Sequence, residues 1–323
     1  MTHGTGANDV AIVIVTYNSA LEIEACLTAA VRTGAAIWVV DNYSQDDSVQ
    51  RVRAFPVQII ANTENRGFAA AVNQGVQASA APFILLLNPD AVLETGIAAL
   101  RSQCNLPGVA AAAGILIGAD GAPQRGFTVR RLPTPLMLIF ENVLLNRVWP
   151  RNPVNWRFRC FDFDLTVTAP CAVEQPAGAF FMFRREDWDK LGGFDEQFRP
   201  LWFEDVDFCA RLRGAGKEIR LVPDAVAKHT GAHSILNMAL EMRQIYWYGN
   251  LLRYSSKHYP ALDRKLVCCS VVIGSVLRFC GGVFRGAGSA KQWRTHRCVV
   301  SLAIRCFQGL PGWDAVLKAP ERR

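Results

Sequence analysis

The sequence predicts an α/β protein, a mostly parallel sheet flanked by helices, followed by a C-terminal helical appendage. Two observations carry the sheet. Short, unbroken β-branched runs alternate with helical segments, as expected of strands buried on both faces. The links between them are short, and each strand ends in polar residues, where ligands bind in open α/β sheets. A third observation carries the appendage: beyond about Leu236 the texture turns aromatic and basic. The division expected is residues 1–235 and 236–323.

Taken in order, residues 10–15 (VAIVIV) read as a buried strand broken by Thr16-Tyr17-Asn18-Ser19. Residues 20–31 have helical spacing. Residues 36–40 form a second strand, ending at Asp41-Asn42, and 44–53 a helix with Ser44 or Asp46 near its cap. Residues 57–60 are a third strand. After Asn65-Arg66-Gly67-Phe68 an alanine-rich helix runs to Ala78, and 83–87 are a fourth strand ending at Asn88-Pro89-Asp90. Residues 114–170 mix Pro, Trp and Arg as a loop would. Order returns at the strand 179–183, at a helix from about Glu204 to Gly214-Ala215-Gly216, and at the strand 219–222. Residues 266–284 are apolar but interrupted by Arg278, with Lys265, Arg285, Lys291, Arg294 and Arg297 around them. An interfacial amphipathic segment touching an anionic membrane fits that better than a span; a solvated basic face on a packed helix is the alternative.

Composition narrows the function. The chain has 323 residues and a formal charge of +7. Residues 241–323 hold fourteen Lys and Arg against four acids, so this third supplies the whole excess. Basic residues are not interleaved with aromatics on the main domain, so no nucleic-acid partner is expected. Ten cysteines include no C-x-x-C, which speaks against a zinc cage and for free thiols in a reducing compartment. No apolar leader follows Met1, so the chemistry is expected in the cytoplasm, peripheral on the inner face of the plasma membrane.

No G-x-G-x-x-G follows the first strand and no Walker lysine occurs, which excludes a dinucleotide oxidoreductase and a P-loop NTPase. The strand ends offer instead amides and a carboxylate for a base and ribose, a cation for a diphosphate and an acid for a metal. Leu201-Trp202-Phe203-Glu204-Asp205-Val206-Asp207 sets three acids among large apolar residues. A helix N-terminus accounts for acids there; so does a site, since unpartnered buried carboxylates are costly. Asp207 and Arg211, four apart, are expected to pair.

These residues together resemble a known family. Ile14-Val15-Thr16-Tyr17-Asn18, Val40-Asp41-Asn42, Asn65-Arg66-Gly67 with Asn73, and Leu87-Asn88-Pro89-Asp90 are similar to the GT-A nucleotide-sugar glycosyltransferases of family 2, rhamnosyltransferase-like members above all. Gly192-Gly193-Phe194-Asp195, Phe203-Glu204-Asp205-Val206-Asp207 and His229-Thr230-Gly231 extend the resemblance over residues 10–234. It implies a Rossmann-like nucleotide-diphospho-sugar transferase fold. It implies that Thr16, Tyr17, Asn18 and Asp41 hold the nucleoside, with Asn65, Arg66, Gly67, Asn73 and Asn88 around the nucleotide sugar. Asn88 stands for the first acid of the family's D-x-D motif, leaving Asp90 and His229 to hold Mg²⁺ or Mn²⁺ with the donor diphosphate. Asp205 matches the catalytic aspartate, and Glu204 and Trp202 would meet the acceptor. One base and no carboxylate nucleophile imply inversion. The expected reaction moves rhamnose from dTDP-rhamnose to a cell-surface glycan or lipid-linked acceptor. Rival readings are a UDP-hexose or UDP-galactofuranose donor, or a non-catalytic scaffold keeping the fold.

Overall fold

The computed structural model describes residues 9–231, 238–284, 290–310, 312 and 314. The chain forms two compact units. The expected boundary at residues 235 and 236 lies outside the described residues. The chain also enters the second unit earlier: residues 133–158 and 197–203 belong with the C-terminal helices.

The first unit is a nine-stranded sheet ordered β3-β2-β1-β4-β10-β6-β11-β5, with β8 pairing β11 off that path. Its strands are β1 (Val10–Thr16), β2 (Ala36–Asp41), β3 (Gln58–Ala61), β4 (Phe83–Leu87), β5 (Ala91–Thr95), β6 (Val109–Ile117), β8 (Cys171–Val173), β10 (Phe180–Arg184) and β11 (Glu218–His229). A two-residue β7 (Val129–Arg130) pairs with β9 (Gln175–Pro176) apart from it. β3, β2, β1 and β4 are mutually parallel, as are β6 and β11, whereas β10 runs antiparallel between β4 and β6. The sheet is therefore mostly parallel, as expected.

Alternate residues of each strand face opposite sides. Ile12, Ile14, Leu85 and Leu87 join one apolar cluster with α1 (Ile23–Val31). Ala11, Val13, Ile84 and Leu86 join the other with α3 (Phe68–Ala78) and α9 (Glu204–Gly214). Burial on both faces is why these strands read as continuous apolar runs. Between them lie α2 (Ser48–Val52), α4 (Ile97–Cys104) and α8 (Arg185–Leu191).

Several boundaries differ from expectation, each for a local reason. The helix expected over 44–53 is only Ser48–Val52, because Ser44 and Asp46 spend their side chains on neighbouring loops: Ser44 Oγ accepts from the Asn18 N–H and Asp46 Oδ2 from the Ala20 N–H. The strand expected at 219–222 continues to His229 across a bulge, Val222 facing Gly114 and Val226 facing Ile115. The stretch expected to be loop carries α5 (Pro135–Asn142), α6 (Leu145–Val148) and α7 (Pro153–Phe158). Thr134 caps α5 by accepting from the Met137 N–H, with Pro135 in its first turn.

The second unit is helical: α5–α7 with α10 (Leu240–His258), α11 (Ala261–Phe284) and α12 (Ala290–Gln308). By length and composition alone, the stretch Ala261–Gly282 of α11 could cross a membrane.

Candidate active site

β1 and β2 pair in register, so Thr16 stands beside Asp41. The loops beyond them are laced together. Asn18, at φ 52°, donates its N–H to Ser44 Oγ (2.9 Å) and accepts at Oδ1 from the Gln45 N–H (2.7 Å). Asp41 Oδ2 accepts from the Ser44 N–H at 3.1 Å. Tyr17 follows, half-buried. Two oxygens remain over: Thr16 Oγ1 and Asp41 Oδ1 are buried without a hydrogen-bond partner among the described residues. Leaving such an atom unpaired costs about 1–3 kcal/mol, which a bound hydrogen-bonding ligand would offset.

The next strand-end loop is built the same way. Asn42 Oδ1 accepts from the Arg66 N–H and its Nδ2 donates to Asn65 Oδ1, both at 3.0 Å; Asn65 Oδ1 also takes the Gly67 N–H. Gly67 turns the chain into α3 at φ 88°, a conformation glycine adopts without Cβ strain. The Arg66 guanidinium has no hydrogen-bond or ion-pair partner among the described residues. Asn73 has a different use from the one expected: buried, it donates to the Phe194 carbonyl (2.9 Å) and Glu196 (3.0 Å) and accepts from the Phe194 N–H (3.0 Å). Its amide holds residues 194–196.

Strand pairing brings the two expected metal ligands together. His229 at the end of β11 lies opposite Ala91 of β5, which brings its Nε2 within 3.5 Å of Asp90 Oδ1. Asn88 begins the same turn, its N–H donating to the Ala179 carbonyl. The ring of His229 is fixed from behind. Gln124 donates its amide to the His229 carbonyl (2.7 Å) and faces Nδ1 with its oxygen (3.0 Å), and Phe127 stacks on the ring at 5.1 Å. Gln124 thus engages Nδ1 and leaves Nε2 as the ring nitrogen that faces Asp90. Among the described residues no group of three potential ligands gathers. Two protein donors plus phosphate oxygens still suit Mg²⁺ or Mn²⁺. The residues therefore fit a divalent cation shared with a diphosphate.

Asp205, the expected base, lies at the start of α9. Asp205 accepts from the Val206 N–H (2.8 Å) and from the Gly178 N–H (3.1 Å). A Cβ on residue 178 would come within 3.2 Å of that carboxylate, so glycine lets the backbone reach it. Burial raises the Asp205 pKa, while those two N–H groups and the Arg130 charge pull it back. Glu204 is buried too, with Oε2 lacking a partner; burial, then the charge of Asp205, push its pKa well above the usual range. Burial thus raises both, and the Gly178 N–H and the Arg130 charge favour the ionised form at Asp205. Asp207 pairs with Arg211 as expected (2.7 Å), and Arg211 also donates to the Leu191 and Gly193 carbonyls. Trp202 lies in the second unit, edge-on to Trp247 at 5.7 Å.

Sequence reasoning missed Gln124, Phe127 and Arg130. They follow β6 in the stretch expected to be loop, with Arg130 over the Phe127 ring at 5.5 Å. No motif announces them. The available signal was the apolar run ending at Ile117, before the turn Gly118-Ala119-Asp120-Gly121.

The family model described as glycosyl transferase family 2 matches residues 11–192, and one described as the N-terminal domain of galactosyltransferase matches 167–233. An N-acetylglucosaminyl-diphospho-decaprenol L-rhamnosyltransferase of Mycobacterium tuberculosis is 28% identical over 241 residues, 69% of this chain and 76% of that protein. Rhamnosyltransferase WbbL of Escherichia coli is 29% identical over 83 residues, 26% of this chain and 30% of that one. Two solved structures share the fold. The mannosyltransferase PcManGT of Pyrobaculum calidifontis, in complex with GDP-Man and Mn²⁺, has a TM-score of 0.51 at 16% identity, covering 96% of this chain and 85% of that one. S. aureus TarS in complex with UDP-GlcNAc has 0.53 at 14% identity, covering 96% and 83%.

Proposed function

This chain belongs to glycosyl transferase family 2, and from that premise we propose an inverting glycosyltransferase that moves rhamnose from dTDP-rhamnose to a hydroxyl of a lipid-linked glycan. The sugar and the kind of acceptor rest on the rhamnosyltransferase relatives, one of whose names specifies a polyprenyl diphosphate. The base assignment rests on one observation: the Asp205 carboxylate is held at the start of α9 by the Val206 and Gly178 N–H groups, beside the buried Glu204.

Asp205 Oδ takes the proton of the acceptor hydroxyl as its oxygen bonds the anomeric carbon. The bond from that carbon to the donor diphosphate breaks on the opposite side, which inverts the centre. Asp90 and His229 would hold Mn²⁺ or Mg²⁺, which supplies positive charge against the departing diphosphate. The unpaired Arg66 guanidinium adds to it. Thr16 and Asp41 would complete their missing hydrogen bonds on the nucleoside. The expected site of action is the cytoplasmic side of the membrane.

A thermal-shift panel of dTDP, UDP and GDP with and without Mn²⁺ tests the donor. The largest shift is expected from dTDP with Mn²⁺; a larger one from UDP would favour the UDP-hexose reading, which the galactosyltransferase match supports. Transfer assayed on Asp205→Asn tests the base, and undiminished turnover would refute it.

A further inference from the structure

α11 presents an apolar stripe to solvent in addition to the apolar residues it buries. On α11, Leu262, Leu266, Cys269, Ile273, Val276 and Leu277 recur at intervals of three and four, so they share one face. All six are exposed, Leu262 to 69% and Ile273 to 52%. The stripe runs about 22 Å along the helix. Its packed face buries Val267, Cys268 and Val271 together with small and polar residues. Ser270 accepts from Asn142 Nδ2 of α5 (2.9 Å), and at Gly274 a Cβ would strike the Asn142 carbonyl. Buried Ser275 bonds buried His296 Nδ1 of α12 at 2.9 Å.

α12 widens that face. It runs antiparallel to α11, since Trp293 meets Phe279 (5.2 Å) while Lys265 sits over Phe307 (5.3 Å). Trp293, Ile304 and Phe307 are exposed on the side of α12 bordering α11. Next around the helix come Arg294, Arg297 and Arg305, which line one cleft of about 460 Å³ with Ser301. The arrangement is an apolar face edged by cations.

We infer that this α11–α12 face is an in-plane membrane anchor that beds in the interface of an anionic bilayer. A contiguous exposed apolar face is what an apolar phase selects, because in water that exposure costs about 25 cal/mol per Å². The arginine cleft supplies charge complementarity to lipid phosphates. α11 does not cross the bilayer, since one face is held by α5 and α12 and Arg278 sits over the Tyr248 ring (5.3 Å). The inference bears on the proposed function only through the acceptor, and its test contains neither donor nor acceptor.

The full chain is sedimented with phosphatidylcholine vesicles, with and without a third phosphatidylglycerol. Wild type is expected to pellet with the anionic vesicles and to be released by salt. Ile273→Glu with Val276→Glu, both solvent-exposed and so compatible with the fold, should weaken binding about tenfold or more to either vesicle. Arg294→Glu with Arg297→Glu should lose about tenfold on anionic vesicles alone. Circular dichroism checks that each variant keeps its helices. Wild type left in the supernatant, or an apolar-face variant that pellets undiminished, would overturn the inference. So would a soluble dimer that the same variant converts to monomer, because a second copy would then cover the face.

Discussion

The two units differ in the surface they leave to solvent. The first buries Ile12, Ile14, Leu85 and Leu87 at 0% exposure and sets its candidate site residues at the strand ends. The second buries Val267, Val271, Val299 and Leu302 beside Ser270, Ser275, Thr295 and His296, yet leaves Leu262, Ile273 and Val276 exposed along one helix face. The difference teaches that exposed apolar surface carries information only against what the same helix hides.

If chemistry resides in the first unit alone, Asp205→Asn should cost about 10²–10⁴-fold in transfer rate while nucleotide affinity stays within error. An equal loss from an exposed change on α11, assayed on a water-soluble acceptor, would break the division. Packing gives the next contrast. Ile84→Ala, in the first core, should destabilise by about 2–5 kcal/mol, whereas Ile273→Ala should stay within about 0.5 kcal/mol. Urea denaturation of both variants measures this; equal losses would mean that the α11 face is covered in solution.

A smaller effect separates scaffold from site. Gln124→Ala should weaken Mn²⁺ binding in the presence of dTDP by about 10–100-fold, since its amide engages Nδ1 and leaves Nε2 facing Asp90. Titration calorimetry giving wild-type affinity would reduce Gln124 to a loop contact. The mildest change concerns Glu204. Its folded pKa is raised, so the native state binds a proton that the unfolded state releases first, and stability falls as pH climbs from the ordinary glutamate value toward the raised one. Glu204→Gln carries no such proton. Its melting temperature should exceed that of wild type by a gap that widens with pH, and a constant gap would contradict the protonated-acid assignment.

Much of the first unit was legible because β1, β2 and β4 are covered on both faces and leave unbroken apolar runs. β6 was not, and the reason is packing. Its four consecutive alanines favour helix by propensity, yet it lies at the centre of the sheet, where Ala111 and Ala113 pair with Phe183 and Phe181. Small residues are needed opposite large ones, and one sequence does not show that. The site was legible where polar residues interrupt strands, at Asp41, 65–67 and 88–90. Gln124 and Arg130 were not, because they reach it through tertiary contact from a segment without periodicity. Asn73 shows the converse: a motif residue whose amide is spent on Phe194.

α9 and β11 are consecutive in the chain. The acid that would accept the proton and the imidazole that would meet the metal are therefore the two ends of one uninterrupted piece, residues 204–229, with a bulge between to absorb differences in length. Such a piece can be inherited, duplicated or transplanted whole. A chimera that exchanges only residues 204–229 with a relative would carry both halves of the chemistry in one splice, leaving donor choice with the host.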